Sequence, residues 1–337
     1  MLQQAAIIGD GAMGTVSAML LSANGARIGL WSAFQEHADD MSRTGENKRF
    51  LPGFPLPKGL RISTDAAEAT EGADLVIIAV PSRHLRGVLG RIKAALPDGA
   101  VYISVIKGIE AASLLRPSEV IREVAGDRRL AVLSGPCLAR EIAARLPATA
   151  VVASPDAETA RIARDAFATP WFRVYTSEDH VGVELGGALK NIIAIAAGIC
   201  DGLELGNNAK AALVTRGLVE MTRLGAAMGA RRETFGGLAG LGDLVTTCTS
   251  DLSRNHYVGK EIGRGRSLED IRETMGRVEA EGIETTRSAV ALADRHGIEM
   301  PITREVYAVL FHDKPAPDAL ADLMSRSLKK ESDGLTG

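Results

Sequence analysis

The sequence predicts an α/β protein, with an open, mainly parallel doubly wound sheet in its first part and an all-helical C-terminal domain. Three observations carry that expectation. Short β-branched runs alternate with helical stretches over the first half. A glycine-rich segment, Gly9-Asp-Gly-Ala-Met-Gly14, separates the first such run from the first helix. Past residue 180 no convincing strand pattern remains.

The elements follow in order. Ala5–Ile8 reads as a strand, then comes a glycine turn and a helix to about Asn24. Ala26–Trp31 is a second strand. Asp74–Val80 is a continuous apolar run ended by Pro81, as a central strand buried on both faces requires. Val101–Ile106, Leu130–Leu133, Val151–Ala153 and Phe172–Tyr175 read as further strands, with helices such as Ser82–Leu96 and Ala157–Ala168 between them. Strand, helix, strand in repetition implies a doubly wound sheet. Helical stretches then cover 182–200, 208–228, 254–263, 267–274, 285–296 and 303–311, and the polar tail from Ser325 to Gly337 is expected to fray.

A chain of 337 residues is too long for one ordinary core, so two domains are expected, 1–179 and 180–337. A hydrophobic fraction of 46% with 24% charged residues places it among ordinary globular proteins. A formal net charge of −3 without a large one-sign block argues against nucleic-acid or membrane-surface partners. Cys137, Cys200 and Cys248 are widely spaced and form no CxxC pair, so neither a disulfide framework nor a metal site is expected. A reducing cytoplasm is the simplest setting. The N-terminus lacks a basic region, and its apolar run stops at Gly9, which does not read as a signal peptide. No apolar stretch approaches the roughly 20 residues that span a bilayer; the longest candidate is Ile192–Cys200.

The most informative feature is Lys190. It is the one cation in the apolar run Glu184–Cys200, where Leu185, Leu189, Ile192, Ile193 and Ala196 recur at helical spacing. Lysine is almost never buried without a partner. Gly186 and Gly187 weaken the helix by roughly 1 kcal/mol each relative to alanine, and they remove bulk one turn before the lysine. That arrangement lets another group approach the ammonium closely. Desolvation lowers a lysine pKa and suits it to proton transfer. The alternative is a lysine that snorkels to the surface along its stem.

Gly9–Gly14 follows a strand and opens a helix, which is the setting a dinucleotide site needs. Gly9 permits the tight turn, Gly11 lets backbone approach a pyrophosphate, Ala12 and Met13 open the helix, and Gly14 lets that helix pack on the sheet. The anion then meets the helix's positive end. The second strand ends Leu30-Trp31-Ser32-Ala33, without the acidic residue that binds an adenosine ribose hydroxyl and favours NAD. Glu36 comes late. Arg43, Lys48 and Arg49 lie downstream, either to meet a 2′-phosphate or as solvated surface cations. The balance leans slightly to NADPH.

Four more segments carry candidate chemistry. Ser104-Val-Ile-Lys107-Gly108 puts a lysine just past a strand's carboxyl end, where ligands of open α/β sheets bind. Ser134-Gly-Pro-Cys-Leu-Ala-Arg-Glu141 leaves a strand and enters a helix, where backbone amides can hold a polar ligand. Gly236–Ser250 sets four glycines before Asp243 and hydroxyls after it; an aspartate beside a buried cation would let both charges tolerate burial. Ser253-Arg254-Asn255 starts a helix with a guanidinium fork matched to phosphate oxygens. Each also has a plain reading, as surface cation, connector, tether or helix start. Glu281-Gly-Ile-Glu-Thr-Thr286 reads as a turn before a helix, with no chemistry derivable from it.

Taken together, these segments resemble the NAD(P)-dependent glycerol-3-phosphate dehydrogenases of the soluble bacterial type, nearly end to end. The resemblance is carried by Gly9–Gly14, Asn47–Gly53, Val80-Pro-Ser82, Lys107-Gly108, Ser134-Gly-Pro136, Gly187–Asn191, Asn208–Leu218, Gly240–Leu244, Ser253–Asn255 and Met300-Pro-Ile302. It implies an N-terminal Rossmann-like dinucleotide-binding domain, a helical substrate domain and a homodimer. It implies Lys190 as proton donor and acceptor, with Lys107, Asn191, Asp243 and Thr247 around the oxygens of dihydroxyacetone phosphate or sn-glycerol 3-phosphate. Ser253, Arg254 and Asn255 would hold the phosphate, and Gly135 and Cys137 would line the substrate pocket. The cofactor residues implied are Gly9, Gly11, Ala12, Met13, Gly14, Lys107, Ala139, Arg254 and Glu281. The product would feed phospholipid synthesis. Cys137-Leu138 stands where the family usually has Ser or Thr followed by Phe, and a thiol is a poor hydrogen-bond donor. Spacing around Val278–Gly282 runs one residue longer than usual.

Two other functions fit parts of the pattern. A β-hydroxyacid dehydrogenase also joins a dinucleotide fold to a lysine-bearing helix, but Arg254-Asn255 favours a phosphorylated substrate. A non-catalytic NAD(P)-sensing protein would not need Lys190, Lys107 and Asp243 together.

Overall fold

A computed structural model describes residues 4–276, 280–328 and 330–331. The family spacing near Val278 and most of the tail after Leu328 lie outside the described residues. The chain divides into two compact units: Met1–Lys107 with Leu115–Val183, and Gly108–Leu114 with Glu184–Gly337. Gly108–Leu114 therefore goes with the helical unit, where Ser288 Oγ donates to the Ile109 carbonyl at 3.4 Å.

The first unit alternates as its sequence pattern requires. In chain order it runs β1 (Gln4–Ile8), α1 (Ala12–Ala23), β2 (Arg27–Trp31), α2 (Gln35–Thr44), β3 (Arg61–Ser63), α3 (Ala66–Thr70), β4 (Leu75–Ile78) and α4 (Ser82–Ile92). It continues through β5 (Val101–Ser104), α5 (Pro117–Ala125), β6 (Arg129–Ser134), α6 (Ala139–Ala143), β7 (Ala148–Ala153), α7 (Ala157–Phe167) and β8 (Phe172–Ser177). One eight-stranded sheet results, in the order β3-β2-β1-β4-β5-β6-β7-β8. Successive residues of a strand face opposite sides, so Ile7 packs with Val16 and Leu20 of α1 while Ile8 packs with Leu85 and Leu89 of α4. Burying each such side chain stabilises the fold by about 1.5–3 kcal/mol. Strand order reverses between β1 and β4, paired in parallel from Ala5↔Leu75 to Ile8↔Ile78. A crevice at such a reversal is where open sheets bind ligands, and Gly9 follows β1 directly.

Three details differ from expectation. β7 runs antiparallel to β6, because the connection carries only the five-residue α6 and does not cross back over the sheet. β3 is a three-residue edge strand with too short a pattern to read. The strands around Asp74–Val80 and Val101–Ile106 are each shorter, as the chain leaves the sheet before Ala79 and Val105.

The second unit contains no strand among its described residues. The long α8 (His180–Gly202) leads into it, followed by α9 (Gly206–Ala227), α10 (Arg232–Phe235), α11 (Asp243–Thr249), α12 (Arg254–Gly263), α13 (Leu268–Met275), α14 (Glu281–His296), α15 (Pro301–Phe311) and α16 (Ala316–Met324). Glu281–Thr286 is thus the opening of α14 rather than a turn; its cap, Ala280, makes no side-chain hydrogen bond and left no signature. Ile192–Cys200 understates the apolar length of α8. This 23-residue helix has a mean hydropathy of 1.5 over an 18-residue window and is by length and composition able to cross a membrane, but 94% of that window is buried inside the protein. It is a core helix. Glycines bring it against α12: a Cβ on Gly259 would lie 1.9 Å from the Ile195 carbonyl oxygen, and one on Gly198 would lie 2.1 Å from that of His256. Gly259→Ala would force the two backbones apart.

Candidate active site

In the first unit the site begins at the glycine loop. Gly9 sits at φ +112°, and a Cβ there would meet the Ala79 carbonyl oxygen at 2.8 Å. A Cβ on Gly14 would lie 2.0 Å from the Gly9 carbonyl oxygen. Only glycine satisfies both positions. Gly11 is different, since a Cβ there would meet nothing within 4 Å. It caps α1 with no side-chain hydrogen bond, and the first turn through Ala12 and Met13 holds no acid. An uncapped helix start, with no side chain in the space at Gly11, fits a dinucleotide diphosphate.

Four residues that the sequence reading did not connect support this loop. Asp10 Oδ2 accepts from Ser32 Oγ and, at 2.8 Å, from His37 Nδ1. Asn47 Nδ2 donates to the Asp10 carbonyl and to Thr15 Oγ1, both at 2.7 Å. Asn47 Oδ1 takes the Phe50 amide at 3.1 Å and faces His37 Nε2 at 3.2 Å. His37, Asn47 and Ser32 are buried. The cations considered for a 2′-phosphate lie exposed; Arg43 pairs with Asp40, and the Arg49 guanidinium stands 5.0 Å from the Phe50 ring centroid.

Lys107 follows β5 and is half-buried, its Nζ donating to the Gly135 carbonyl at 2.9 Å. Gly135, at φ +133°, turns the chain out of β6, and a Cβ there would touch the β7 backbone at Ala150, 3.1 Å away. The motifs Lys107-Gly108 and Ser134-Gly-Pro136 are therefore joined in space. Cys137 and Ala139 follow, both half-buried.

The second unit has its own cluster. Lys190 is 6% exposed, and its Nζ donates to Asp243 Oδ1 at 2.6 Å and to Thr247 Oγ1. Thr247 Oγ1 in turn donates to the Asp243 carbonyl at 2.7 Å. Snorkelling is excluded: the ammonium ends on a buried carboxylate. Asp243 reaches it because Leu238–Gly242 forms a π-helical turn rather than a slack tether, and α11 starts at Asp243. Gly186 permits this approach, as a Cβ there would lie 2.6 Å from the Ala239 carbonyl oxygen. Burial also pushes the Cys248 thiol, one residue past Thr247, up to about 12.

Asn191, next on α8, accepts from Asn255 Nδ2 at 2.9 Å, and Asn255 Oδ1 accepts from the Gly282 amide at 2.9 Å. The opening of α14, beside half-buried Glu281, is thereby tied to the lysine helix. Ser253 caps α12, accepting from the His256 amide at 3.2 Å. Arg254, in the first turn, is exposed and lines a hollow of about 270 Å³ with Asp251, Leu252, Tyr257 and Met275.

A dinucleotide cradle at a sheet's reversal point, in a chain whose helical part buries a lysine against an aspartate, belongs to the two-part nicotinamide-dependent oxidoreductases. Comparison with known proteins narrows this. The family described as NAD-dependent glycerol-3-phosphate dehydrogenase matches through its N-terminus pattern at residues 4–160 and its C-terminus pattern at 179–321. Glycerol-3-phosphate dehydrogenase [NAD(P)+] of Syntrophotalea carbinolica is 51% identical over 330 residues, covering 97% of this chain and 99% of that one. Its counterpart in Streptomyces coelicolor is 49% identical over 330 residues, with 97% and 98% covered. A crystal structure of glycerol-3-phosphate dehydrogenase from Coxiella burnetii superposes with a TM-score of 0.92 at 40% identity, covering 96% of this chain and 99% of that one. The chain belongs to the NAD-dependent glycerol-3-phosphate dehydrogenase family. Neither a β-hydroxyacid dehydrogenase nor a cofactor-sensing protein is favoured by these matches.

Proposed function

We propose that this chain interconverts dihydroxyacetone phosphate and sn-glycerol 3-phosphate with a nicotinamide dinucleotide, and that Lys190 moves the proton. The observation that carries this is the Lys190–Asp243 contact at 2.6 Å on an apolar helix. The nicotinamide ring, when bound, supplies or accepts the hydride. Gly9, Gly11, Ala12, Met13 and Gly14 would hold its diphosphate, with Lys107, Ala139, Arg254 and Glu281 as further cofactor contacts.

As the carbonyl carbon is reduced, negative charge grows on its oxygen, and Lys190 Nζ delivers a proton there. Asp243 and Thr247 hold the ammonium in place. Asp243 opposes the loss of that charge, whereas burial favours it. Lys107, Asn191 and Thr247 are proposed contacts for the substrate oxygens, with Gly135 and Cys137 lining the pocket. Arg254, with Ser253 and Asn255, is proposed for the phosphate, where remote binding energy fixes orientation. For the choice of cofactor, the exposed Arg43, Lys48 and Arg49 are the cations that would meet a 2′-phosphate and carry the lean to NADPH, against which stands the Asp10 carboxylate beside the end of β2. The family resemblance further supports a homodimer in the cytoplasm that feeds glycerol 3-phosphate to phospholipid synthesis.

The test is a spectrophotometric assay. Purified protein mixed with NADH or NADPH should lose reduced-nicotinamide absorbance when dihydroxyacetone phosphate is added. No loss with either cofactor would refute the reading, and loss with an unphosphorylated hydroxyacid precursor instead would favour the β-hydroxyacid class.

A further inference from the structure

The geometry points to Asp10, a residue of the glycine loop itself, as the group that selects NAD over NADP in this chain. The inference rests on the proposed dinucleotide site. In such folds the ribose hydroxyls of the adenosine are met at the carboxyl end of the second strand, usually by an acid that the strand carries there. Here β2 ends at Trp31, and Ser32 and Ala33 offer no carboxylate. Asp10 fills that vacancy from the side: its Oδ2 accepts from the Ser32 hydroxyl, at the residue after β2. The carboxylate therefore stands where the strand's own acid would stand, though it comes from a residue about twenty positions earlier.

Its orientation is held from behind. His37, buried on α2, donates to the same Oδ2 at 2.8 Å, and Asn47 Nδ2 donates to the Asp10 backbone carbonyl at 2.7 Å. Both His37 ring nitrogens face oxygens, and Asn47 Oδ1 is fixed as an acceptor by the Phe50 amide. Its Nδ1 faces the carboxylate at 2.8 Å and braces it from behind. Asp10 Oδ1 accepts no hydrogen bond among the described residues, and 13% of the side chain remains open. A ribose 2′-hydroxyl can donate to that oxygen. A 2′-phosphate meets it as like charge against like charge, which disfavours NADP at this position.

The test is calorimetric titration of the full chain, without substrate, comparing wild type with Asp10→Asn. Wild type should bind NADH more tightly than NADPH by about tenfold or more, and Asp10→Asn should bring the two affinities close together, chiefly by gaining NADPH. A merely structural role would weaken both cofactors alike and leave their ratio unchanged, which overturns the assignment. Wild type that prefers NADPH, or binds both equally, overturns it as well. Binding of neither cofactor defeats the dinucleotide site and the assignment with it, and is distinguishable because no ratio is then measured. Should Asp10→Asn fail to fold, wild type titrated with 5′-AMP and with adenosine 2′,5′-bisphosphate decides: 5′-AMP must bind tighter, and equal or reversed affinities refute the role of Asp10.

Discussion

Lys190 Nζ lies 2.6 Å from Asp243 Oδ1, with only 7% and 2% of the two side chains reaching solvent. Neither charge is tolerable there alone. A buried ion pair is weak evidence for stability, but removing one partner leaves an uncompensated charge and costs about 3–5 kcal/mol. Asp243→Ala should therefore destabilise the fold by that order, measured by urea denaturation. A change below about 1 kcal/mol, the range of exposed pairs, would mean that solvent reaches the pair.

Asn255 joins α12 to both α8 and α14, through Asn191 and the Gly282 amide. Asn255→Ala strands a buried acceptor and a buried donor. Each unsatisfied group costs about 1–3 kcal/mol, so the midpoint of denaturation should fall by an amount well outside error. An unchanged midpoint would show that these bonds are replaced by others.

Glu220, on α9, closes the start of α15 by accepting from the Ile302 amide at 2.6 Å, the Thr303 amide at 3.0 Å and the Thr303 hydroxyl at 2.9 Å. Burial pushes its carboxyl from the usual 4.5 up to about 7, outweighing the three donors that favour the charged form. The native state thus keeps a proton that the unfolded state releases between those values. Its contribution is fully present below 4.5 and is lost as pH rises through about 7. The stability of wild type relative to Glu220→Gln should decline across that window. A flat difference would contradict the raised pKa.

Arg254 is exposed at the first turn of α12, beside a hollow of about 270 Å³. Arg254→Ala should weaken dihydroxyacetone phosphate strongly and abolish competition by inorganic phosphate. If inorganic phosphate competes equally well against wild type and variant, the phosphate is held elsewhere.

What the sequence made legible was local. Gly9–Gly14 has its meaning within six residues, and the apolar spacing around Lys190 within one helix. Asp243 was readable as a partner because glycines preceded it, although those same glycines hid the π-helical turn that aims it. The Asp10–Ser32–His37–Asn47 network was invisible because its members come from four separate segments, and their meeting depends on β1 and β2 lying side by side. Glu220 was hidden likewise, one acid among the residues of a long helix, identified only by the amides of Ile302 and Thr303 above it. The start of α14 was misread because Ala280 leaves no capping signature.

The most direct test of the central claim is the turnover of Lys190→Ala with dihydroxyacetone phosphate, measured beside its affinity for NADH. Removing the proton donor should lower turnover by roughly 10²–10⁴-fold while cofactor affinity stays at the wild-type value. Turnover near that of wild type would contradict the role given to the buried ammonium.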